Sequence, residues 1–79
     1  MITASQCRAA RGLLDWSQLE LAEQAGVGVV TIRQLEASSH KPRRATLDVI
    51  RRAFEEAGVD FIQGDGKGPG VRLRKPSAD

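Results

Sequence analysis

The chain has few of the sequence features that cross-link a small protein covalently or direct it to a membrane. It has a single cysteine, Cys7, among 79 residues, so no internal disulfide bond can form. No apolar run approaches the ~20 residues that a membrane-spanning helix requires. The N-terminal segment also lacks the apolar core of a signal peptide. These absences favour a reducing compartment, and we expect a cytoplasmic protein that does not contact a membrane.

Residues that carry catalytic or metal chemistry are equally scarce. The only histidine, His40, has no cysteine or carboxylate cluster near it in the sequence, so no metal site is predicted. The segment GDGKGPG resembles a phosphate-binding loop, but Lys67 is followed by glycine instead of Ser or Thr, and no helical pattern follows. No Ser–His–Asp set or paired-carboxylate cleft is recognisable. We therefore predict that the protein is not an enzyme and uses no cofactor or small-molecule ligand.

The positive charge is concentrated in one short stretch of the chain. The formal net charge is only +2, yet residues 37–54 hold five basic side chains against one acidic residue and carry +4. The flanking segments 1–36 and 55–79 each carry −1. A local basic cluster is the electrostatic footprint expected for a polyanion such as nucleic acid. Charge alone is equally compatible with an ordinary solvated helix face.

Four helices are predicted from capping signals and apolar spacing. Thr3 with Gln6 and Ser17 with Glu20 have the spacing of capping boxes, and each pair predicts the start of a helix. The predicted helices span residues 4–12, 18–25, 28–37 and 44–57. A run of four β-branched residues at the start of the third segment weakens its helix propensity, so a short strand is the alternative there.

The apolar pattern changes from a helical period to strict alternation after the fourth helix. The segments VDFI and VRLR, separated by a long glycine-rich loop, predict a β-hairpin. A lone two-stranded hairpin is marginally stable in water, so it must pack on the helices or on a second copy of the chain. Exposed strand edges invite pairing, and we expect a dimer contact here. Its predicted residues are Val59, Phe61, Ile62, Val71 and Leu73.

Two consecutive stretches carry a family resemblance. WSQLELAEQAGVGVVTIRQLE, followed by EASSHKPRRATLDVIRRAF, matches a family pattern at about a dozen positions in register. The chain resembles the phage-repressor-like regulators of bacteria, also called the Cro/C1-type or XRE family, over roughly residues 5–58. The resemblance implies a mainly α, four-helix, lambda-repressor-like helix-turn-helix domain followed by a short C-terminal β-hairpin. The expected divisions are residues 1–58 for this domain, 59–75 for the hairpin and 76–79 for a disordered tail.

The resemblance makes the third helix a recognition helix in the DNA major groove. The base contacts that it implies are Gly28, Val29, Val30, Arg33 and Gln34. Arginine can donate two hydrogen bonds to guanine, glutamine can pair with adenine, and valine methyls can meet the methyl group of thymine. The implied phosphate contacts, which supply affinity and register, are Gln18, Thr31, Ser38, His40, Lys41, Arg43 and Arg44.

Two further expectations concern the framework around the recognition helix. The resemblance pairs Arg11 with Glu36 in a partly buried structural ion pair between the first and third helices. It also places Ser38 where the family usually has glycine. A left-handed cap is less favourable for serine than for glycine, so the loop is expected to follow a different path.

The implied function is sequence-specific binding of double-stranded DNA by a transcriptional regulator. We expect a repressor that binds a near-palindromic operator as a homodimer, with half-sites about one helical turn apart. The alternative is an antitoxin or antiactivator whose main partner is a protein. Val29 and Val30 keep that alternative open, because they are apolar where hydrogen-bonding residues are common.

Overall fold

The computed structural model of the chain describes residues 2–64 and 66–74, in which four helices precede a two-stranded hairpin. The helices are α1 (Ala4–Leu14), α2 (Gln18–Ala25), α3 (Val29–Glu36) and α4 (Arg44–Glu56), and the strands are β1 (Val59–Ile62) and β2 (Gly70–Leu73). The predicted fold class is confirmed. The tail expected at residues 76–79 lies outside the described residues.

Both predicted capping boxes are present at the starts of α1 and α2. The Thr3 hydroxyl accepts a hydrogen bond from the Gln6 backbone N–H at 3.1 Å, and the Gln6 side chain accepts one from the Thr3 N–H at 3.0 Å. Ser17 and Glu20 make the equivalent pair at 3.0 and 2.8 Å. These bonds satisfy backbone donors that a helix start leaves without partners.

The ends of α1 and α2 are set by residues in the left-handed conformation. Gly26, at φ 74°, ends α2 as predicted. The first helix continues two residues beyond its predicted end at Gly12 and stops at Asp15, whose φ is 55°. A glycine inside a helix costs stability but does not terminate it, whereas the left-handed residue reverses the chain and bonds back to the last turn.

The β-branched run at the start of α3 is helical, so the alternative of a short strand is wrong. Ile32 is fully buried and Leu35 is 7% exposed, and their three-residue spacing suits a helix that packs one face on the core. Gly28 is the N-cap and makes no side-chain cap bond. Burial of the apolar face therefore outweighs the modest propensity penalty of the valines.

The core lies between the four helices and the inner face of the hairpin. Phe54 of α4 is fully buried at its centre. Its ring stacks on that of Trp16, with the ring centroids 5.8 Å apart, and meets the edge of Phe61 at the same distance. Aromatic contacts of this kind add to the stabilisation from burial, so the turn before α2, the fourth helix and β1 share one cluster.

The hairpin packs against the helices of its own chain. The strands are antiparallel, with Val59 opposite Leu73 and Phe61 opposite Val71, and these four side chains share the inner face. The prediction of a dimer contact is wrong for Val59, because this residue is fully buried in the core. Phe61 and Val71 are half-buried and pack against the same core.

The two remaining apolar residues of the hairpin are exposed on opposite faces. Ile62 pairs with Gly70 and is 37% exposed, whereas Leu73 pairs with Val59 on the inner face and is 45% exposed. The buried Gln6 side chain ties the loop end of the hairpin to α1. Its Nε2 donates to the carbonyl oxygens of Gly70 at 3.1 Å and Ile62 at 3.4 Å. Intramolecular packing, the alternative to dimerisation, thus accounts for most of the hairpin's apolar surface.

A buried carboxylate connects the first three helices. Arg11 donates from Nε to Glu36 Oε2 and from Nη2 to Oε1, both at 2.7 Å, so the ion pair is bidentate. Gln18 Nε2 donates to Oε1 at 3.0 Å, and the Cys7 thiol donates to Oε2 at 3.1 Å. The Glu36 side chain is only 4% exposed. These contacts, the Glu36 network, fix the last turn of α3 to α1 and to the start of α2.

The protonation states of the network follow from burial and hydrogen bonding. Burial opposes ionisation of Glu36, but the hydrogen bonds from Arg11, Gln18 and Cys7 outweigh it and hold the pKa of the carboxyl below its ordinary value. The pKa of Arg11 is raised, chiefly by its hydrogen bonds to Glu36. Burial, and then the adjacent carboxylate, raise the pKa of the Cys7 thiol. Glu36 is therefore an anion held by a cation and two neutral donors.

Acid should remove the stabilisation that the Glu36 network supplies. Because the pKa of Glu36 is lower in the folded chain than its ordinary value of 4.5, this stabilisation is present above about pH 4.5 and is lost as the pH falls through the folded value. At neutral pH, Glu36→Gln should lower the free energy of unfolding by about 3 kcal/mol, since it leaves Arg11 without its partner. Urea unfolding followed by circular dichroism measures both effects.

The difference between Glu36→Gln and the unmodified chain should narrow as the pH is lowered. Glu23→Gln, which removes an exposed carboxylate from α2, is the matched control and should change stability little at any pH. A difference that stays constant between pH 7 and pH 3 would show that ionised Glu36 does not stabilise the fold.

The loop after α3 contains a serine in the left-handed conformation. Ser38 has a φ of 55°, so its backbone takes the left-handed conformation that glycine adopts most easily. We expected the loop to depart from the path that a glycine gives it, and this expectation is not met at Ser38.

We predict that Ser38→Gly raises the free energy of unfolding by up to about 1 kcal/mol, because it removes the cost of the left-handed conformation for a residue with a side chain. Ser39→Gly is the matched control. Equal effects of the two substitutions in thermal unfolding would contradict the prediction.

Candidate nucleic-acid interface

The second and third helices form a compact helix-turn-helix unit. Gly26 reverses the chain at φ 74°, and Val27 of the turn packs against the core. The helices α2 and α3 contact each other directly, and the Gln18–Glu36 hydrogen bond links the start of one to the end of the other. The position of α3 is therefore fixed at both ends.

One face of α3 is open to solvent. Val30 is 56% exposed, and Arg33 and Gln34, three and four residues further along, are also exposed. This spacing places the three side chains on one side of the helix. We call these residues the α3 face. It presents a guanidinium, a carboxamide and an apolar side chain next to one another.

The other two predicted base-contact residues lie at the edges of this face. Gly28 is exposed at the N-cap, where its φ of −73° is ordinary and a Cβ would meet nothing within 4 Å. Neither the backbone conformation nor packing requires glycine there. Val29 is half-buried and packs against the core, because it precedes the buried Ile32 by one helical turn. The sequence predicted a base contact for Val29, whereas in the structure its side chain packs mainly against the core.

Five of the seven predicted phosphate contacts lie between the end of α3 and the first residue of α4, in residues 38–44, which we call the basic segment. Its five candidates, all exposed, are Ser38, His40, Lys41, Arg43 and Arg44. The N-cap of α4 makes no side-chain cap bond, so the first backbone N–H groups of this helix have no side-chain acceptor there. Unpaired N–H groups and the positive end of the helix dipole both favour an anion. The basic side chains and the N-terminus of α4 thus both favour a phosphate at this position.

The remaining two phosphate candidates lie within the helix-turn-helix unit. Gln18 is half-buried at the first position of α2, and one of its two amide protons is used in the bond to Glu36. Its second amide proton stays available to a ligand. Thr31 is half-buried in the first turn of α3, and its backbone N–H bonds to the carbonyl of Gly28 at 3.1 Å.

Sequence reasoning found the Arg11–Glu36 pair but missed its other partners. Cys7 was interpreted only as a small core residue, and Gln18 only as a phosphate contact. Arg8 was not considered, yet its guanidinium donates from Nη1 to the backbone carbonyl of Glu36, at the end of α3. The signal that could have found Arg8 is its spacing, since it lies one helical turn before Arg11 on the same side of α1.

The part of the chain that the structure describes contains neither a candidate metal site nor a helix that could span a membrane. Among residues 2–64 and 66–74, no group of three His, Cys, Asp or Glu side chains is arranged to hold a metal ion. Within the same residues, none of the helices has the length and apolar character needed to cross a bilayer.

Comparison with known protein families agrees with this geometry. A family model described as helix-turn-helix matches residues 8–60, well over half of the chain. The matched region contains the α3 face and the basic segment after it, whereas β2 lies beyond its end. A search of curated proteins found none that matches the chain. The chain therefore belongs to the XRE-type helix-turn-helix family of DNA-binding transcription regulators.

Proposed function

We propose that the protein binds a specific duplex sequence by inserting α3 into the major groove, and that it represses transcription by occupying an operator. The observation that carries this proposal is the α3 face, which is exposed on a helix whose opposite side is buried in the core. In helix-turn-helix docking, the N-terminal part of the second helix contacts base edges while the first helix crosses the backbone.

The polar side chains of the α3 face suit particular bases. Arg33 has two donors that match the O6 and N7 acceptors of guanine, and Gln34 can both donate to and accept from adenine. Each good bidentate pair contributes roughly 1–3 kcal/mol of discrimination. Gly28 supports close approach, because it places no side chain between the start of the helix and the duplex.

The basic segment supplies affinity that does not depend on sequence. Lys41, Arg43 and Arg44 are exposed beside the start of α4 and can contact phosphates on either side of the groove. Ser38, His40, Gln18 and Thr31 add neutral or weakly basic donors in this proposal. In a bacterial cell duplex DNA lies in the cytoplasm, so this proposal places the protein there.

A single recognition helix covers only a few base pairs, so we propose that two copies bind a near-palindromic operator. Half-sites one helical turn apart would place the two α3 helices on the same side of the duplex. Of the residues expected at the dimer contact, Ile62 and Leu73 remain exposed in the single chain. Because they lie on opposite faces of the hairpin, a contact through Leu73 and one through Ile62 are separate arrangements.

A protein partner is the alternative function, as for an antitoxin or antiactivator. The observation in its favour is exposed apolar surface, since Val30 is 56% exposed and Leu19 of α2 is 57% exposed. The basic segment beside the α3 face is the reason to prefer DNA, because a contact through apolar side chains alone needs no such charge.

Substitutions on the α3 face should reduce specific binding selectively. We expect Arg33→Ala and Gln34→Ala each to weaken binding to a duplex selected from a random pool by roughly 5- to 150-fold, equivalent to 1–3 kcal/mol. Binding to unselected duplex should change much less. Arg52→Ala, which removes an exposed arginine from α4, is the charge-matched control. Fluorescence anisotropy at fixed salt measures all of these affinities.

The same titration, repeated over a range of salt concentrations, distinguishes DNA binding from binding to a protein partner. Binding through several phosphates weakens steeply with salt, and Lys41→Ala should reduce the slope by about one. A failure to bind duplex at low salt, or equal losses from Arg52→Ala and Arg33→Ala, would contradict sequence-specific binding through α3.

Two protomers should occupy each selected duplex. We expect sedimentation velocity to give a complex of two chains per duplex. If the two copies meet through the inner face of the hairpin, Leu73→Ser should weaken cooperative binding. If they meet through the outer face, Ile62→Ser should weaken it. Circular dichroism checks that both variants fold. One chain per duplex at saturation would contradict the homodimer.

A further inference from the structure

We propose that a cleft between α1, α3 and α4 binds a small amphipathic carboxylate, and that this ligand opposes DNA binding. The cleft has a volume of about 370 Å³, which lies within the range of small-molecule sites. The binding site does not depend on DNA binding, whereas its effect on the duplex rests on the proposed function. Sequence analysis predicted no small-molecule ligand, because the cleft is assembled from segments that are distant along the chain.

The floor of the cleft is apolar. It is formed by Ile2 before α1, Leu35 of α3 and Leu47 of α4, and Ala4 also lines the cleft. Leu35 and Leu47 belong to the hydrophobic core, as does Ile2. A buried water molecule needs roughly two to four polar partners, and three aliphatic side chains supply none. The floor therefore suits the apolar part of a ligand better than it suits water.

The rim of the cleft is polar and positively charged. Ser38, His40 and Lys41 border it and are exposed, and none of the described residues that line it is acidic. Lys41 forms no ion pair with any other described residue, so its ammonium group is available to an anion. The Ser38 hydroxyl and the His40 ring can donate further hydrogen bonds. A cation beside an apolar floor matches a molecule with an anionic head and an apolar body.

The size and charge of the cleft narrow the class of ligand. A water molecule occupies about 30 Å³ in the liquid, so the cleft has room for roughly a dozen non-hydrogen atoms. Among the described residues that line it, Lys41 supplies the one permanent positive charge, which matches a monoanion better than a dianionic phosphate. The ligand class is therefore a monocarboxylate with a short apolar body.

A ligand in the cleft would compete with the duplex for the same side chains. Lys41, His40 and Ser38 are also proposed phosphate contacts, and an ammonium group that is paired with a carboxylate attracts a phosphate less strongly. Coupling between two ligands is reciprocal. The carboxylate should therefore weaken duplex binding, and the regulator would respond to the concentration of a small molecule.

Octanoate, a carboxylate of about the right size, is the probe for the binding site. It is added to the labelled protein without DNA while methyl and amide chemical shifts are recorded. We expect saturable changes centred on Ile2, Leu35 and Leu47, with a dissociation constant on the order of 0.1 to 1 mM. The neutral analogue 1-octanol should bind about five-fold more weakly, because it lacks the charge that pairs with Lys41. Equal binding of the two probes, or changes centred outside the cleft, would overturn the proposal.

Two pairs of variants test the head and the body of the ligand separately. Lys41→Met should weaken octanoate binding about five-fold and leave octanol binding unchanged, whereas Lys67→Met removes an exposed lysine outside the cleft and is its control. Ala4→Leu puts a larger side chain in the cleft and should abolish binding of both probes. Its control is Ala9→Leu, at an exposed position of α1 that does not line the cleft. Circular dichroism verifies folding of all four variants, and equal effects within either pair would contradict the assigned site.

A final measurement joins the cleft to DNA binding. In fluorescence anisotropy with the selected duplex, saturating octanoate should weaken binding about five-fold, acetate at the same concentration controls for ionic strength, and Lys41→Met should remove the effect. Octanoate that binds in the cleft without changing duplex affinity would overturn the coupling. Absence of saturable octanoate binding, with duplex binding retained, would overturn the inference alone. Failure to select any duplex would instead overturn the proposed function, while the chemical shifts recorded without DNA still decide the cleft.

Discussion

The buried carboxylate of Glu36 is the constraint on which the arrangement of the first three helices depends. It is the last residue of α3, and it accepts hydrogen bonds from Arg11 and Cys7 of α1 and from Gln18 of α2. A carboxylate is stable in the interior only when such partners compensate for its loss of water. Because these partners come from two other helices, the network holds α1, the start of α2 and the end of α3 in the observed arrangement. That arrangement turns Val30 and the rest of the α3 face outward.

The first helix contacts both the Glu36 network and the C-terminal hairpin. On one side, Cys7 and Arg11 hold Glu36, and on the other, the buried Gln6 amide donates to carbonyls at the loop end of the hairpin. The strand β2 lies beyond the region that the family model matches, yet its Val71 packs against the common core. A hairpin that is marginal alone is thus stabilised by the domain that it covers. Most of its apolar residues therefore pack within the chain's own fold.

Much of the fold followed from local sequence signals, whereas the details of the site depended on tertiary packing. Both capping boxes and the stop at Gly26 were readable because each involves residues within one turn of each other. The burial of Val59 was not, since strand alternation says which residues share a face but not what covers that face. Val29 shows the same limit, because a helical pattern does not settle which edge residues turn inward. Nor does spacing within one helix reveal that a thiol and an amide from two others meet at Glu36.

The central claim is that the α3 face, held outward by the Glu36 network, is the surface that reads duplex DNA. Amide chemical shifts, recorded while a selected duplex is titrated into the labelled protein, test it most directly. The account predicts that the largest changes occur at Val30, Arg33 and Gln34 and in the basic segment after α3. Changes confined to the hairpin, with these three amides unmoved at saturation, would contradict it.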